Sequence, residues 1–198
     1  MTGLFTGQRW LSASMQVLLM PMLALVAVRL PAGRLRTGVL AALTASWVGD
    51  TVPRFVAPEV GLPVLLGCFA VAQAIWVVTL WPGSMRPGRR GRTLATAALA
   101  LAPSVWVVLR CLPTAGVLTP AVIGYAALLL AMVALIAARG PLGVAGGLLF
   151  WISDALIAVT TFVPGWRFTG SEVAIMSTYA AAQGLIVAAL LRESRPPR

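Results

Sequence analysis

The sequence contains no histidine, no lysine and no asparagine, and only 10% of its residues are charged. The absence of histidine excludes the commonest general base and the commonest nitrogen ligand of zinc. The two cysteines, Cys68 and Cys111, lie in apolar segments without CxxC spacing, so we interpret them as packing residues. Neither GxGxxG nor GxxxxGK[ST] occurs. We therefore predict no metal site and no cofactor.

The residues that are present are mostly apolar, with 60% hydrophobic residues and a mean hydropathy of +0.94. This composition predicts an integral membrane protein. Spans of about 20 residues use almost the whole chain, so we expect a single transmembrane domain over residues 1–198. A net charge of +10 would suggest nucleic acid in a soluble protein. Here the arginines lie between apolar runs and near the end of the chain, where lipid headgroups explain them, and we expect no nucleic-acid partner.

Breaks at arginine and at proline or glycine clusters predict an all-α bundle of about seven transmembrane helices. Helices are favoured over barrel strands because the apolar runs are long and do not alternate. The first run lacks a small-residue cleavage pattern, so we expect a retained helix and not a signal peptide. The predicted spans are 12–30, 36–52, 60–81, 93–110, 116–138, 141–163 and 171–191.

The arginines also predict the orientation of the bundle. All of them except Arg9, Arg54, Arg110 and Arg167 fall on one side of the predicted spans. The positive-inside rule then places the N-terminus outside and the C-terminus inside. We expect a multi-pass protein of the plasma membrane. The excess of alanine, arginine, glycine and proline is typical of a GC-rich bacterium.

Two aspartates interrupt apolar runs, Asp50 in SWVGD and Asp154 in FWISDAL. A carboxylate within a membrane span costs roughly 2.5–3.5 kcal/mol on insertion scales, so two of them indicate a function. Each lies about 13 or 14 residues from the start of its predicted span, which is roughly 20 Å in both cases. The two carboxylates therefore share a depth and are our candidate catalytic residues. The alternative is a structural pair that bonds neighbouring helices.

The matched W-x-[GS]-D fragments contain Trp47 and Trp151 and suggest a weak parallel repeat of the first three and last three helices. The match is short, so chance stays open as an explanation.

The polar positions also come in a recognisable order. GD at 49–50 is followed by GCFAVAQAIW at 67–76, GYAALLLAM at 124–132, GGLLFWISDALIA at 146–158 and MSTYAAAQGLI at 176–186. From about residue 16 to 191 the chain resembles the lysoplasmalogenase family, also called YhhN-like. The resemblance implies an all-helical membrane protein, usually of eight spans, that cleaves the vinyl ether bond of lysoplasmalogens and releases a fatty aldehyde. It also implies a polar core around both aspartates, formed with Ser46, Ser153, Tyr179 and Gln183.

The chain departs from the family pattern at several positions. Gln73 stands where the third-helix pattern F-x-x-A-H-x-x-Y has histidine, and Trp76 stands at its tyrosine. Gln16 and Val17 replace a usual Lys-Pro. Vinyl ether cleavage needs a protonated carboxylic acid, which burial and a second carboxylate favour, and then a base that delivers water. Glutamine can orient a water molecule but cannot take its proton.

The retained acid and the lost base lead to three hypotheses. The leading one is a protonation-initiated terpene cyclase acting on an isoprenoid, with Trp47, Trp76 and Trp151 stabilising the cation in a pocket between helices two, three, six and seven. The second is hydrolysis of a lysoplasmalogen, as the resemblance implies. The third is a lipid-binding or proton-coupled transport bundle. Tryptophan, glutamine and tyrosine also serve commonly in interfacial belts and helix packing.

Overall fold

The computed structural model describes residues 17–194. In this range the chain forms helices joined by short turns and contains no strand. The helices are α1 Val17–Ala27, α2 Arg34–Thr51, α3 Pro58–Ser84, α4 Arg90–Ala115, α5 Thr119–Ala137, α6 Pro141–Phe162 and α7 Ser171–Glu193. Short 3-10 turns at Val52–Arg54 and Gly116–Leu118 follow α2 and α4. The predicted all-α class is confirmed.

The helix ends differ from the predicted spans mainly around α4 and α5. The sequence predicted a span ending at 110, but α4 continues to Ala115 and contains both Pro103 and Pro113. The chain then turns at Gly116, whose φ of 51° is strained for residues with a side chain. Residues 12–16 of the first predicted span, with Gln16, lie outside the described residues.

Four stretches are long and apolar enough to cross a membrane: Pro58–Ser84, Arg90–Ala137, Pro141–Phe162 and Ser171–Glu193. The second stretch contains both α4 and α5. The helix α2 carries three charged residues, Arg34, Arg36 and Asp50, which lower its apolar character. The chain is thus a multi-pass membrane protein, while the number of spans and the orientation stay predictions.

Short connections make consecutive helices alternate in direction. We call the end where α2, α4 and α6 finish the cavity end, and the opposite end the arginine end. At the arginine end Glu193 forms ion pairs with both Arg89 and Arg139. The Arg139 side chain is almost buried and also donates to the backbone oxygen of Leu80, at 3.3 Å. This cluster connects the end of α7 to the α3–α4 and α5–α6 connections.

Close helix packing involves the glycines of α6. A Cβ atom at Gly146 would lie 3.0 Å from the Ile186 backbone nitrogen of α7, and one at Gly147 would lie 2.9 Å from the Ile136 side chain of α5. Small residues allow such close approach of membrane helices. The same core contains Phe150 and Trp76, both fully buried. Close packing of α6 against α5 and α7 fixes the position of Asp154.

Candidate active site

The structure brings Asp50 and Asp154 to one cavity. Asp50 lies in the last turn of α2 and Asp154 near the middle of α6, and the two residues are 4% and 9% exposed. The cavity has a volume of about 100 Å³. One water molecule needs only roughly 10–15 Å³, so the cavity has room for a larger group.

Each aspartate accepts a hydrogen bond from a tyrosine. The Tyr179 hydroxyl donates to Oδ2 of Asp50 at 3.0 Å, and the Tyr125 hydroxyl donates to Oδ2 of Asp154 at 2.5 Å. These are the only two tyrosines in the chain. Hydrogen bonds to an ionised group are stronger than neutral ones. The site is thus two Asp–Tyr pairs that face a common cavity.

Tyr179 was among the site residues expected from the sequence, and Tyr125 was not. Tyr125 lies in GYAALLLAM, an otherwise apolar run, and nothing in its spacing shows which neighbouring helix it faces. The available signal was that Tyr125 is one of only two tyrosines in the sequence and lies in an apolar span. A phenol hydroxyl in such a span usually has a hydrogen-bond partner.

The cavity wall is almost entirely apolar. It is formed by α3 to α7 together with Asp50, so α4 and α5 join the four helices that the sequence predicted for the pocket. Its apolar lining includes Leu62, Leu65, Leu66, Phe69, Val107, Val108, Cys111, Val122, Ala126, Leu129, Ile157, Ala158, Phe162 and Met176.

Of the three tryptophans proposed for the pocket, Trp151 lines the cavity. Its indole nitrogen donates to Ser104 Oγ of α4 at 2.9 Å. Trp47 and Trp76 do not line it. The Trp47 indole turns towards α1, where it donates to the Val17 backbone oxygen at 2.9 Å, and this side chain is 37% exposed. Trp76 is fully buried in the core. The expected tryptophan wall is therefore reduced to Trp151, with Phe69 and Phe162 as further apolar rings.

The remaining polar candidates divide into two groups. Ser153 lines the cavity and donates to the Ile175 backbone oxygen at 3.0 Å, which joins α6 to α7. Ser46, Gln73 and Gln183 are fully buried but do not line the cavity. They lie one helical turn away from it.

Two further features limit the chemistry of the site. In the described range, no group of three or more His, Cys, Asp or Glu residues is placed to hold a metal ion. Arg54 is the described arginine nearest to Asp50 along the chain. Its Nε donates to the Asp50 backbone oxygen at 3.0 Å, and its side chain does not line the cavity. The polar groups that line the cavity are therefore carboxyl and hydroxyl groups, together with the Cys111 thiol and the Trp151 indole.

Comparison with known proteins gives one result. The YhhN family matches residues 11–190. Searches of curated proteins and of solved structures find no match. The matched range includes both aspartates, both tyrosines and every helix from α1 to α6, with all but the end of α7. The chain therefore belongs to the YhhN family.

Proposed function

We propose that this protein is a membrane enzyme that hydrolyses the vinyl ether bond of a lysoplasmalogen, with an intramembrane aspartate as the acid. The observation that carries the proposal is the pair of Asp–Tyr contacts facing one apolar cavity, in a chain of the YhhN family. An apolar cavity suits a lipid chain, and paired carboxyl groups suit acid and base steps.

The proton donor that we assign is Asp154. The bond from Tyr125 to Oδ2 is the hydrogen bond that the described residues make with this carboxyl group, which leaves Oδ1 for the substrate. Two negative charges in one apolar cavity are unfavourable, so we expect the two carboxyl groups to hold one proton between them. Asp50 then acts as the carboxylate that receives a proton from water.

The reaction consumes one water molecule. Asp154 transfers its proton to carbon 2 of the vinyl ether, and carbon 1 becomes an oxocarbenium ion. Water adds to carbon 1 while Asp50 takes one of its protons, which gives a hemiacetal. The bond from carbon 1 to the glyceryl oxygen then breaks, the glyceryl oxygen takes the proton from Asp50, and the hemiacetal hydroxyl returns a proton to Asp154. The products are a fatty aldehyde and a glycerol hydroxyl.

A groove on the outside of the bundle supports entry of the substrate from the lipid. It lies between α3 and α5 and shares Leu66 and Tyr125 with the cavity. Gly67 and Gly124 line it, and a Cβ atom at either position would have no neighbour within 4 Å. The alkenyl chain of the substrate would lie in this groove, with its vinyl ether end beside Tyr125 and Asp154.

The test is aldehyde release from a lysoplasmalogen by membranes that contain the protein. The matching saturated alkyl ether should release nothing, since it has no double bond to protonate. In D2O the aldehyde should carry one deuterium at carbon 2. Asp154→Asn and Asp50→Asn should lose the activity, and Glu172→Gln, at an exposed ion pair with Arg167, should keep it. Aldehyde release that persists in both aspartate variants would contradict the proposal.

Cyclisation of an isoprenoid is a second candidate. The observation that favours it is that no histidine, lysine or arginine is among the described residues of the cavity wall, together with the rings of Phe69, Trp151 and Tyr179. Membership of the YhhN family supports hydrolysis more strongly. A product with the same mass as a farnesylated aromatic substrate, lost in both aspartate variants, would favour cyclisation.

A further inference from the structure

A group of polar side chains without hydrogen-bond partners among the described residues lies next to the two Asp–Tyr pairs, towards the arginine end. Six buried atoms in this group have no hydrogen-bond partner among the described residues. They are Ser46 Oγ, Gln73 Oε1 and Nε2, Trp76 Nε1, and Gln183 Oε1 and Nε2. All four side chains are 0% exposed. We call these four residues the polar layer.

The polar layer lies on the arginine side of the aspartates. Ser46 precedes Asp50 by one turn on α2, and Gln183 follows Tyr179 by one turn on α7. Because α2 and α7 run in opposite directions, both steps lead away from the cavity end. On α3, Gln73 follows the cavity-lining Phe69 by one turn in the same direction.

Each Asp–Tyr pair lies near a glutamine of the polar layer. The Gln73 amide lies beside the Tyr125 hydroxyl, and the Gln183 amide lies beside the Tyr179 hydroxyl. Neither amide has a hydrogen-bond partner among the described residues. A small molecule that both donates and accepts hydrogen bonds would join each amide to its tyrosine.

Buried polar atoms in folded proteins almost always have a partner, and a buried side-chain amide without one destabilises the fold. A side-chain amide offers two donor hydrogens and an acceptor oxygen. A buried water molecule typically makes about three hydrogen bonds to such groups. The polar layer provides these groups from three different helices.

We propose that the polar layer is a binding site for water molecules and that it supplies the water that attacks carbon 1 of the substrate. This role depends on the proposed hydrolysis, but the water site itself does not. Gln73 and Gln183 hold and orient the water, and Asp50 takes its proton. In this arrangement the glutamines orient the water molecule and Asp50 removes its proton. Hydrolysis then needs no histidine, because two kinds of residue share the work of one.

The water site can be tested without any enzyme assay. Hydroxyl radicals made by X-ray irradiation of the purified protein oxidise side chains next to bound water. Trp76 and Met132 are both 0% exposed, but only Trp76 belongs to the polar layer. We expect oxidation of Trp76 and protection of Met132, although methionine is the easier residue to oxidise. Protection of both residues would overturn the water site.

Variants then test whether the polar layer controls this labelling. Gln73→Met and Gln183→Met keep the side-chain length and remove the amide. We expect each to lower the oxidation of Trp76 several-fold. Leu43→Met, at another buried position in the same core, is the matched control and should leave it unchanged. Equal oxidation of Trp76 in all of these variants would contradict the assignment.

Isotope exchange tests the supply of water to carbon 1. If addition of water becomes slow, the oxocarbenium ion returns to the vinyl ether, and in D2O the recovered substrate gains deuterium at carbon 2. We expect this exchange in Gln73→Met, with slower aldehyde release, and none in Asp154→Asn. Slower release without exchange in Gln73→Met would overturn the role in water supply. Labelled Trp76 in a protein that releases no aldehyde would refute the hydrolysis and leave the water site standing.

Discussion

The two Asp–Tyr pairs have similar contacts but different surroundings. Tyr179 is buried between the rings of Phe69 and Phe150. The centroids of these rings lie 5.8 and 5.7 Å from the centroid of the Tyr179 ring, in edge-to-face contacts. Tyr125 is only half-buried and lines both the cavity and the lipid-facing groove. The Asp50 pair is therefore held by the core, and the Asp154 pair lies beside the groove between α3 and α5. This difference supports Asp154 as the donor and Asp50 as the base.

The largest expected effect comes from replacing either carboxyl group with an amide. Asp154→Asn should lower the rate of aldehyde release by about 10²–10⁴, the usual contribution of a general acid or base. Asp50→Asn should still protonate the substrate, so in D2O its recovered vinyl ether should gain deuterium. The measurements are aldehyde release and isotope content by mass spectrometry. Exchange in Asp154→Asn but not in Asp50→Asn would reverse the two roles.

Removal of the tyrosine hydroxyls should separate activity from stability. Tyr179→Phe takes a hydrogen bond from a buried carboxyl group, so we expect a loss of about 1.5–3 kcal/mol in the free energy of unfolding. Tyr125→Phe should lower aldehyde release about tenfold, because its hydroxyl orients the donor. Thermal unfolding in detergent and the rate of aldehyde release measure the two effects. Equal effects of the two variants on both quantities would remove the distinction between the pairs.

The all-α fold and the two aspartates of the candidate site could be predicted from the sequence. Length and hydropathy determine helices in a membrane, so the all-α class followed directly. An intramembrane carboxylate is expensive enough to indicate Asp50 and Asp154 without any structure. The partners could not be predicted in the same way. A helix that is apolar on every side has no polar face to show its rotation, and an error of one residue turns a side chain by about 100°.

The two tryptophan motifs illustrate this limit. Trp47 and Trp151 each precede an aspartate by three residues, and the sequence therefore suggested equal roles. Three residues correspond to roughly 300° of rotation, so the indole lies about 60° to one side of the aspartate. Which helix lies on that side decides the contact. For Trp47 it is α1, and for Trp151 it is α4.

The groove between α3 and α5 is a further difference between the two Asp–Tyr pairs, because Tyr125 lines it and Tyr179 does not. Gly67→Leu should fill the groove and raise KM for a long-chain lysoplasmalogen about tenfold, or 1.4 kcal/mol. A short-chain analogue should be affected much less. Gly184→Leu on α7, also without a neighbour within 4 Å, is the control and should change neither value. An equal loss for long and short chains would mean that the groove is not the path of the chain.

The smallest effects should come from the two tryptophans. Trp151→Phe removes the hydrogen bond to Ser104 and part of the cavity wall beside Asp154, so we expect aldehyde release to fall a few-fold. Trp47→Phe removes only the contact with Val17, outside the cavity, and should leave the rate unchanged. The measurement is the initial rate at saturating substrate, with protein amounts matched. A larger loss in Trp47→Phe than in Trp151→Phe would mean that α1 acts on the site through Asp50, and the substrate would then have to be placed beside that pair.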